Sequence, residues 1–130
     1  EDMDPRFRTV EGVGVAMQWA YHRLTTDDLV NAPGWGRDVR KLVGRADTAE
    51  SAAALGPELA AMLQTGVRVN GTEQESMIDT ANVVVRRASE AGLADDFDLV
   101  MSVDCQTAAG PFSFVVAVNQ TIASVLGSSA

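Results

Sequence analysis

The sequence is poor in cysteine, histidine and long apolar runs. The single cysteine, Cys105, excludes an intramolecular disulfide and a zinc site of several thiolates, although an intermolecular disulfide stays open. The single histidine, His22, excludes a multi-histidine metal site within one chain. No run of 18 apolar residues is present to span a membrane, and the first residues lack a secretory signal pattern. We therefore expect a soluble protein without cofactor, metal or membrane insertion, and the sequence indicates no compartment.

Basic residues are also few. The chain carries 18 acidic and 10 basic residues, a formal net charge of -8. This charge repels phosphate backbones and anionic headgroups, so we expect no nucleic acid or membrane partner. With 46% apolar and 22% charged residues, the composition is that of a folded globular chain. We expect one domain at residues 9–127, after a flexible N-terminal segment at 1–8 and before a tail at 128–130.

The stretch from Thr72 to Gly92 carries the strongest helix signals. Thr72 and Glu75 match a capping box, in which each side chain satisfies a backbone N–H of the first turn. Apolar residues between Met77 and Ala88 recur at steps of three and four, as on one helical face. Gly92 can adopt the left-handed backbone conformation that commonly ends a helix. The sequence predicts a helix here, around which the core is built.

Residues 10–24 fit two patterns. As a helix they have one apolar face, and as a strand every second residue from Val13 to Tyr21 is apolar. The stretch from Ala16 to Leu24 has good helix-forming composition, which favours the helix.

Further helices are predicted before residue 66. A short one capped by Thr25 or Thr26 must end before Pro33, because the residue ahead of a proline avoids helical geometry. The spacing of apolar residues predicts another from Arg37 to Ala46. A third begins near Thr48 and is kinked or divided at Gly56-Pro57.

The C-terminal third is ambiguous. Apolar residues alternate from Phe97 to Cys105 and from Phe112 to Val118, as in a hairpin. Polar residues in this third also recur at steps of three and four, as on one face of a helix. Pro111 would fit the first position of such a helix. Asn119 would then lie on an apolar face, satisfied by a backbone carbonyl. We prefer helices.

The predicted fold is an all-α, single-domain bundle of five or six helices, with Thr72–Gly92 and Pro111–Leu126 at its centre. The alternative is a two-layer α+β domain with a C-terminal β-hairpin. Its strands would lie near Val13–Tyr21, Phe97–Cys105 and Phe112–Asn119.

Two hypotheses for function follow from the charged and apolar residues. The first is a non-catalytic, self-associating assembly domain, a homodimer or larger, held by complementary charged patches. The basic patch consists of Arg37, Arg40, Lys41 and Arg45. Its acidic partners, Glu75 and Asp79, lie on the predicted central helix. Trp19 and Val83 are apolar residues on helix faces that do not point to the core. The interface candidates are Trp19, Arg37, Arg40, Lys41, Arg45, Glu75, Asp79 and Val83.

The second hypothesis is a small ligand-binding or enzyme domain with a pocket around Asp104 and Cys105, which His22 and Tyr21 would join. In the helical interpretation Asp104 falls on the apolar face, and buried carboxylates mark functional sites more often than exposed ones do. Asp104 would raise the pKa of Cys105, so we interpret the thiol as a buried small side chain rather than a nucleophile. His22 lies on a polar stripe and is expected to be solvated. A strand would instead place Asp104 in water.

Overall fold

The computed structural model describes residues 11–26, 36–93 and 95–129, and its largest element is an antiparallel β-sheet. The helices are α1 (Glu11–Thr25) and α2 (Ala49–Gln64), and there are 3₁₀ segments at Val39–Arg45 and Ala88–Ala91. The strands are β1 (Val67–Val69), β2 (Thr72–Gln74), β3 (Thr80–Arg87), β4 (Leu99–Thr107), β5 (Gly110–Val118) and β6 (Ala123–Ser129). Residues 1–8 and the helix predicted to end before Pro33 lie outside the described residues.

The prediction of an all-α bundle of five or six helices is therefore wrong. The fold is α+β, the class given as the alternative. Strands β3 to β6 follow one another as a four-stranded antiparallel meander, and β1 and β2 form a separate hairpin. The proposed central helix Pro111–Leu126 is replaced by β5 and β6, whose β-branched residues suit a pleated sheet. Of the three strands in the alternative, the one at Val13–Tyr21 is wrong because α1 occupies it.

The predicted helix Thr72–Gly92 is also wrong. Asn70 and Gly71 have positive φ angles of 51° and 79° and turn the chain between β1 and β2, so Thr72 pairs with Val69 and caps nothing. Farther on, β3 directs Val83 and Val85 into the core, while Val84 between them is exposed. The apolar residues between Met77 and Ala88 thus fit both a helical spacing of three and four and the alternating spacing of a strand, and the strand is what forms. Gly92 does adopt the left-handed conformation (φ 76°), but it ends a 3₁₀ segment.

The two α-helices agree better with their local signals. The preferred helix at residues 10–24 is confirmed as α1. Thr48 caps α2, accepting a hydrogen bond from the backbone N–H of Ser51, whose hydroxyl accepts one from the N–H of Thr48. Gly56-Pro57 does not divide α2, which runs without a break from Ala49 to Gln64. None of the described helices is long and apolar enough to cross a membrane.

The main core lies between the helices and one face of the sheet. Apolar side chains from both helices and from β3, β4 and β5 are almost fully buried there. They include Leu24, Leu59, Leu63, Leu99, Met101, Val85, Val103, Phe112, Phe114, Val116 and Val118. On the opposite face a smaller cluster of Ala88, Val100 and Ala117 is covered by the segment that leads to Phe97. At the other end of that face, the described residues leave a hollow.

Candidate ligand-binding site

The open part of the sheet forms a hollow with a volume of about 530 Å³. Strand alternation creates it, because Asn82 and Asp104 alternate with core residues such as Val83 and Val103 and so face away from the helices. Residues from β3, β4, β5 and β6 contribute to its wall. The lining residues are Thr80, Ala81, Asn82, Asp104, Cys105, Gln106, Pro111, Phe112, Ser113 and Ser129.

One row of polar side chains crosses the hollow. Asp104 lies directly between Asn82 on β3 and Ser113 on β5, and Ser113 is paired in turn with Ser129 on β6. Side chains paired in this way lie about 5 Å apart at Cβ, close enough for one small molecule to contact several of them. Gln106 belongs to the neighbouring row, opposite Thr80. The row therefore combines one carboxylate with amide and hydroxyl groups.

Asp104 is exposed at the surface of the hollow. The expectation that it lies on an apolar helical face is wrong, because β4 is a strand and turns the carboxylate to the solvent side. Of the lining residues that the structure describes, Asp104 alone is charged. The carboxylate therefore sets the sign of the local field, and a cationic group is the partner it favours.

Cys105 lines the same part of β4, but its side chain belongs to the main core. Burial raises the pKa of the thiol from 9.0 to about 12, and the negative charge of Asp104 adds to the effect. At neutral pH the sulfur is protonated and is a weak nucleophile. The interpretation of Cys105 as a buried small side chain is confirmed.

The structure does not bring His22 to Asp104. His22 lies on α1, which packs on the helix-covered face through its contacts with β5, and it is not among the residues of the hollow. Tyr21 points to a different place, since its hydroxyl donates a hydrogen bond to the backbone carbonyl of Ala123 at 3.1 Å. In residues 11–26, 36–93 and 95–129, no group of three or more His, Cys, Asp or Glu side chains is placed to hold a metal ion.

The basic interface candidates are engaged within the chain. Arg37 and Arg45 both contact the carboxylate of Glu58, at 2.7 and 3.5 Å. Arg40 forms a salt bridge with Asp38 at 2.8 Å. These intramolecular contacts leave less of the positive charge for a partner. Lys41 is exposed on the same 3₁₀ segment.

The other interface candidates are scattered. Val83 was expected in water but is only 5% exposed, because in β3 it faces the core. Trp19 is half-buried and packs against the core, with the guanidinium of Arg23 lying 4.8 Å from its ring centroid. Glu75 and Asp79 are exposed in the loop that follows β2, where they line a second hollow of about 620 Å³.

Sequence reasoning missed the polar partners of Asp104, namely Asn82, Gln106 and Ser113. Gln106 could have been identified from the sequence, because it continues the alternation of polar residues along β4. Asn82 and Ser113 depend on the strand register, which no local pattern reveals.

Comparison with known proteins gives no relative for this chain: no family model, no curated protein and no solved structure matches it.

Proposed function

We propose that this domain is a non-catalytic binding module that holds a small organic cation, such as a primary amine, in the hollow around Asp104. One observation carries the proposal: among the described residues that line the hollow, Asp104 alone is charged, and it lies between the hydrogen-bonding side chains of Asn82 and Ser113. An ammonium group donates three hydrogen bonds, and a carboxylate with neighbouring amide and hydroxyl oxygens accepts them.

The dimensions and the overall charge support a small cationic ligand. Ligand sites typically enclose roughly 300–1,000 Å³, and the hollow lies within this range at about 530 Å³. The net charge of -8 attracts cations over longer distances and repels anions.

Binding without catalysis is favoured by the state of Cys105. A nucleophile in this place would need a thiolate, yet burial and Asp104 raise the pKa of the thiol to about 12. His22, a possible base, lies on the layer that packs against the other face of the sheet. The hollow therefore supplies hydrogen-bonding groups and one carboxylate, but no ionised thiol to act as a nucleophile.

The second hollow competes for the same class of ligand. It contains Glu73, Glu75 and Asp79, but these residues belong to the short strand β2 and the loop after it, and all three are exposed. The polar groups around Asp104 are instead held by four strands in fixed register, so less conformational entropy is lost when they bind.

The experiment is an NMR titration with ethanolamine, putrescine and spermidine, with ethylene glycol and butane-1,4-diol as uncharged counterparts. At about 0.15 M salt, which screens exposed charges, we expect the amines alone to shift the backbone signals of residues 80–82, 104–106 and 111–113. Asp104→Asn should weaken amine binding by about tenfold or more, because a hydrogen bond to a charged group is lost.

Asp98→Asn is the matched control, since it removes the same charge from an exposed position just before β4 and outside the hollow. It should leave the amine affinity within about a factor of two, because only a screened, long-range interaction is lost. Equal effects of the two variants would contradict the proposal. So would signal changes confined to residues 73–79, which would assign the amines to the second hollow.

A further inference from the structure

The two edge strands of the four-stranded sheet, β3 and β6, differ in how far other parts of the chain cover their backbones. At the β3 edge, α2 covers the backbone: the side-chain oxygen of Gln64 accepts a hydrogen bond from the N–H of Ala81 at 2.5 Å, and Gly56 lies against the carbonyl of Val83. At the β6 edge, the carbonyl of Ala123 accepts a hydrogen bond from the hydroxyl of Tyr21. Among the described residues no strand pairs with the outer side of β6.

At Val125, the backbone N–H and C=O groups of β6 point away from β5. The N–H of Asn119 donates to the carbonyl of Ile122 at 2.9 Å, so Ile122 faces β5. Backbone direction alternates along an antiparallel strand, which turns the N–H and C=O of Ala123 and Val125 outward. The Ala123 carbonyl already accepts the hydrogen bond from Tyr21, so Val125 supplies the outward N–H and C=O with which another strand can pair.

An apolar groove of about 280 Å³ runs beside this edge, between α1 and β6. Phe114 and Tyr21 line it in edge-to-face contact, with ring centroids 6.2 Å apart, and Met17 and Val125 extend it. Large apolar side chains near the edge are about half exposed. They are Ile122 (51%), Val125 (47%) and Leu126 (49%).

The two strands at this edge carry no charged side chain of their own, although the guanidinium of Arg40 donates a hydrogen bond to the carbonyl of Thr121, just before β6, at 3.3 Å. Every acidic and basic residue of the chain lies at or before Asp104, so β5 and β6 carry none. Natural edge strands are commonly protected by lysine, proline or a bulge, and β6 has only the bulge opposite Val115 and Val116. Two chains of net charge -8 repel each other over most of their surface, and the β6 edge, whose strands carry no acidic side chain, is where they approach with least repulsion.

We infer that the partner of this edge is a second copy of the chain, joined by antiparallel pairing of β6 with β6 across a two-fold axis. An antiparallel strand pair is self-complementary, so one strand supplies both sides of the contact. Val125 and Leu126 of each copy would cover the groove of the other. The sheets become continuous, and both Asp104 hollows lie on the same face of the joined sheet.

Sedimentation equilibrium tests the inference. We expect a concentration-dependent dimer in the micromolar range that Val125→Lys weakens by at least about tenfold, since it places two like charges across the dyad. The matched control is Val84→Lys, because Val84 is equally exposed (45%) but lies on β3, whose edge is covered by α2. Val84→Lys should leave the dimer intact.

Hydrogen exchange of the wild-type protein gives a readout that does not depend on a variant. The outward N–H of Val125 should exchange quickly in dilute protein and become protected as the dimer forms. A monomer at every concentration overturns the inference, and if that monomer binds a synthetic peptide of residues 122–129, the edge takes a peptide instead. A dimer that Val125→Lys leaves intact but salt dissociates also overturns it and assigns the contact to charged patches.

Discussion

Gly56 in α2 lies so close to the carbonyl oxygen of Val83 in β3 that a Cβ atom at position 56 would overlap it. This contact lets the helix backbone lie directly on the edge of the sheet. Gly56 makes the contact at the middle of α2, and Gln64 makes a second one at its C-terminal end. A glycine inside a helix costs about 1 kcal/mol relative to alanine, so its place here follows from the close approach rather than from helix propensity.

Gly56→Ala is therefore expected to destabilise the protein even though alanine is the better helix former. The added methyl group forces α2 away from β3, and such overpacking lowers the free energy of unfolding by about 1–3 kcal/mol. Urea unfolding followed by circular dichroism measures the change. Gly44→Ala is the control, because nothing lies within 4 Å of a Cβ at that position, and it should change stability by less than about 0.5 kcal/mol. Equal midpoints for both variants would contradict the role of the contact.

Arg23 should be sensitive to a change as mild as Arg23→Lys. Its side chain is fully buried, donates a hydrogen bond to the carbonyl of Thr65 at 2.9 Å and stacks over Trp19. Lysine keeps the charge but loses the planar fork and the stacking, so we expect a loss of about 1.5–3 kcal/mol. Arg68→Lys, on an exposed residue 3.8 Å from Glu73, should cost less than about 0.5 kcal/mol. Similar thermal midpoints for the two variants would show that the geometry around Arg23 matters little.

The Cys105 thiol should be inert in the folded protein. Because burial and Asp104 raise its pKa from 9.0 to about 12, almost no thiolate is present at pH 8. A disulfide reagent such as dithionitrobenzoate should react only as fast as the protein opens, and at the rate of a free cysteine in urea. Rapid reaction of the native protein would mean that the thiol is accessible.

The same thiol makes stability depend on pH. The folded state keeps its proton up to about pH 12, whereas the unfolded state loses it near pH 9.0. Above pH 9.0 the unfolded state therefore binds fewer protons, and the free energy of unfolding falls as pH rises towards 12. Cys105→Ala should remove this part of the slope in urea unfolding measured from pH 8 to 11. An unchanged slope would assign it to other groups.

The parts of the fold that local chemistry determines could be predicted. The start of α2 is an example, because Thr48 and Ser51 cap the helix with groups four residues apart at most. Helix α1 is another, since its composition outweighs its alternating pattern. At Thr72–Gly92 local signals favoured the wrong structure: a capping sequence stood beside the Asn70-Gly71 turn, and pairing with the distant β4 decided the outcome.

The candidate site was predictable to the same extent. The strand alternative, which was not preferred, would have placed Asp104 in water and Cys105 in the core, as the structure does. The neighbours of Asp104 come from residues more than eight positions away, and a shift of one residue in register would turn each of them to the other face. Pairing of this kind is a property of the whole sheet, so the site could not be assembled from local patterns.

Asn119 fixes the turn from which β6 starts. Its side-chain oxygen accepts hydrogen bonds from the N–H groups of Thr121 and Ile122, both at 2.7 Å, and its amide donates to the carbonyl of Asp96 at 3.0 Å. The expectation that a backbone carbonyl satisfies this side chain is confirmed. Asn119→Ala should lower the free energy of unfolding by about 0.5–1.5 kcal/mol, because exposed backbone groups exchange their protein partner for water.

Asn119→Asp separates the two roles of this side chain, since aspartate keeps the accepting oxygen and loses the amide donor. We expect it to preserve the turn and to cost less than Asn119→Ala. Hydrogen exchange of residues 121–125 measures the difference: the alanine variant should speed exchange along the start of β6, and the aspartate variant should not. Because β6 can pair with another strand only while it is held beside β5, Asn119→Ala should also weaken any contact made through the β6 edge. Unchanged exchange in both variants would mean that the β5–β6 ladder alone positions the strand.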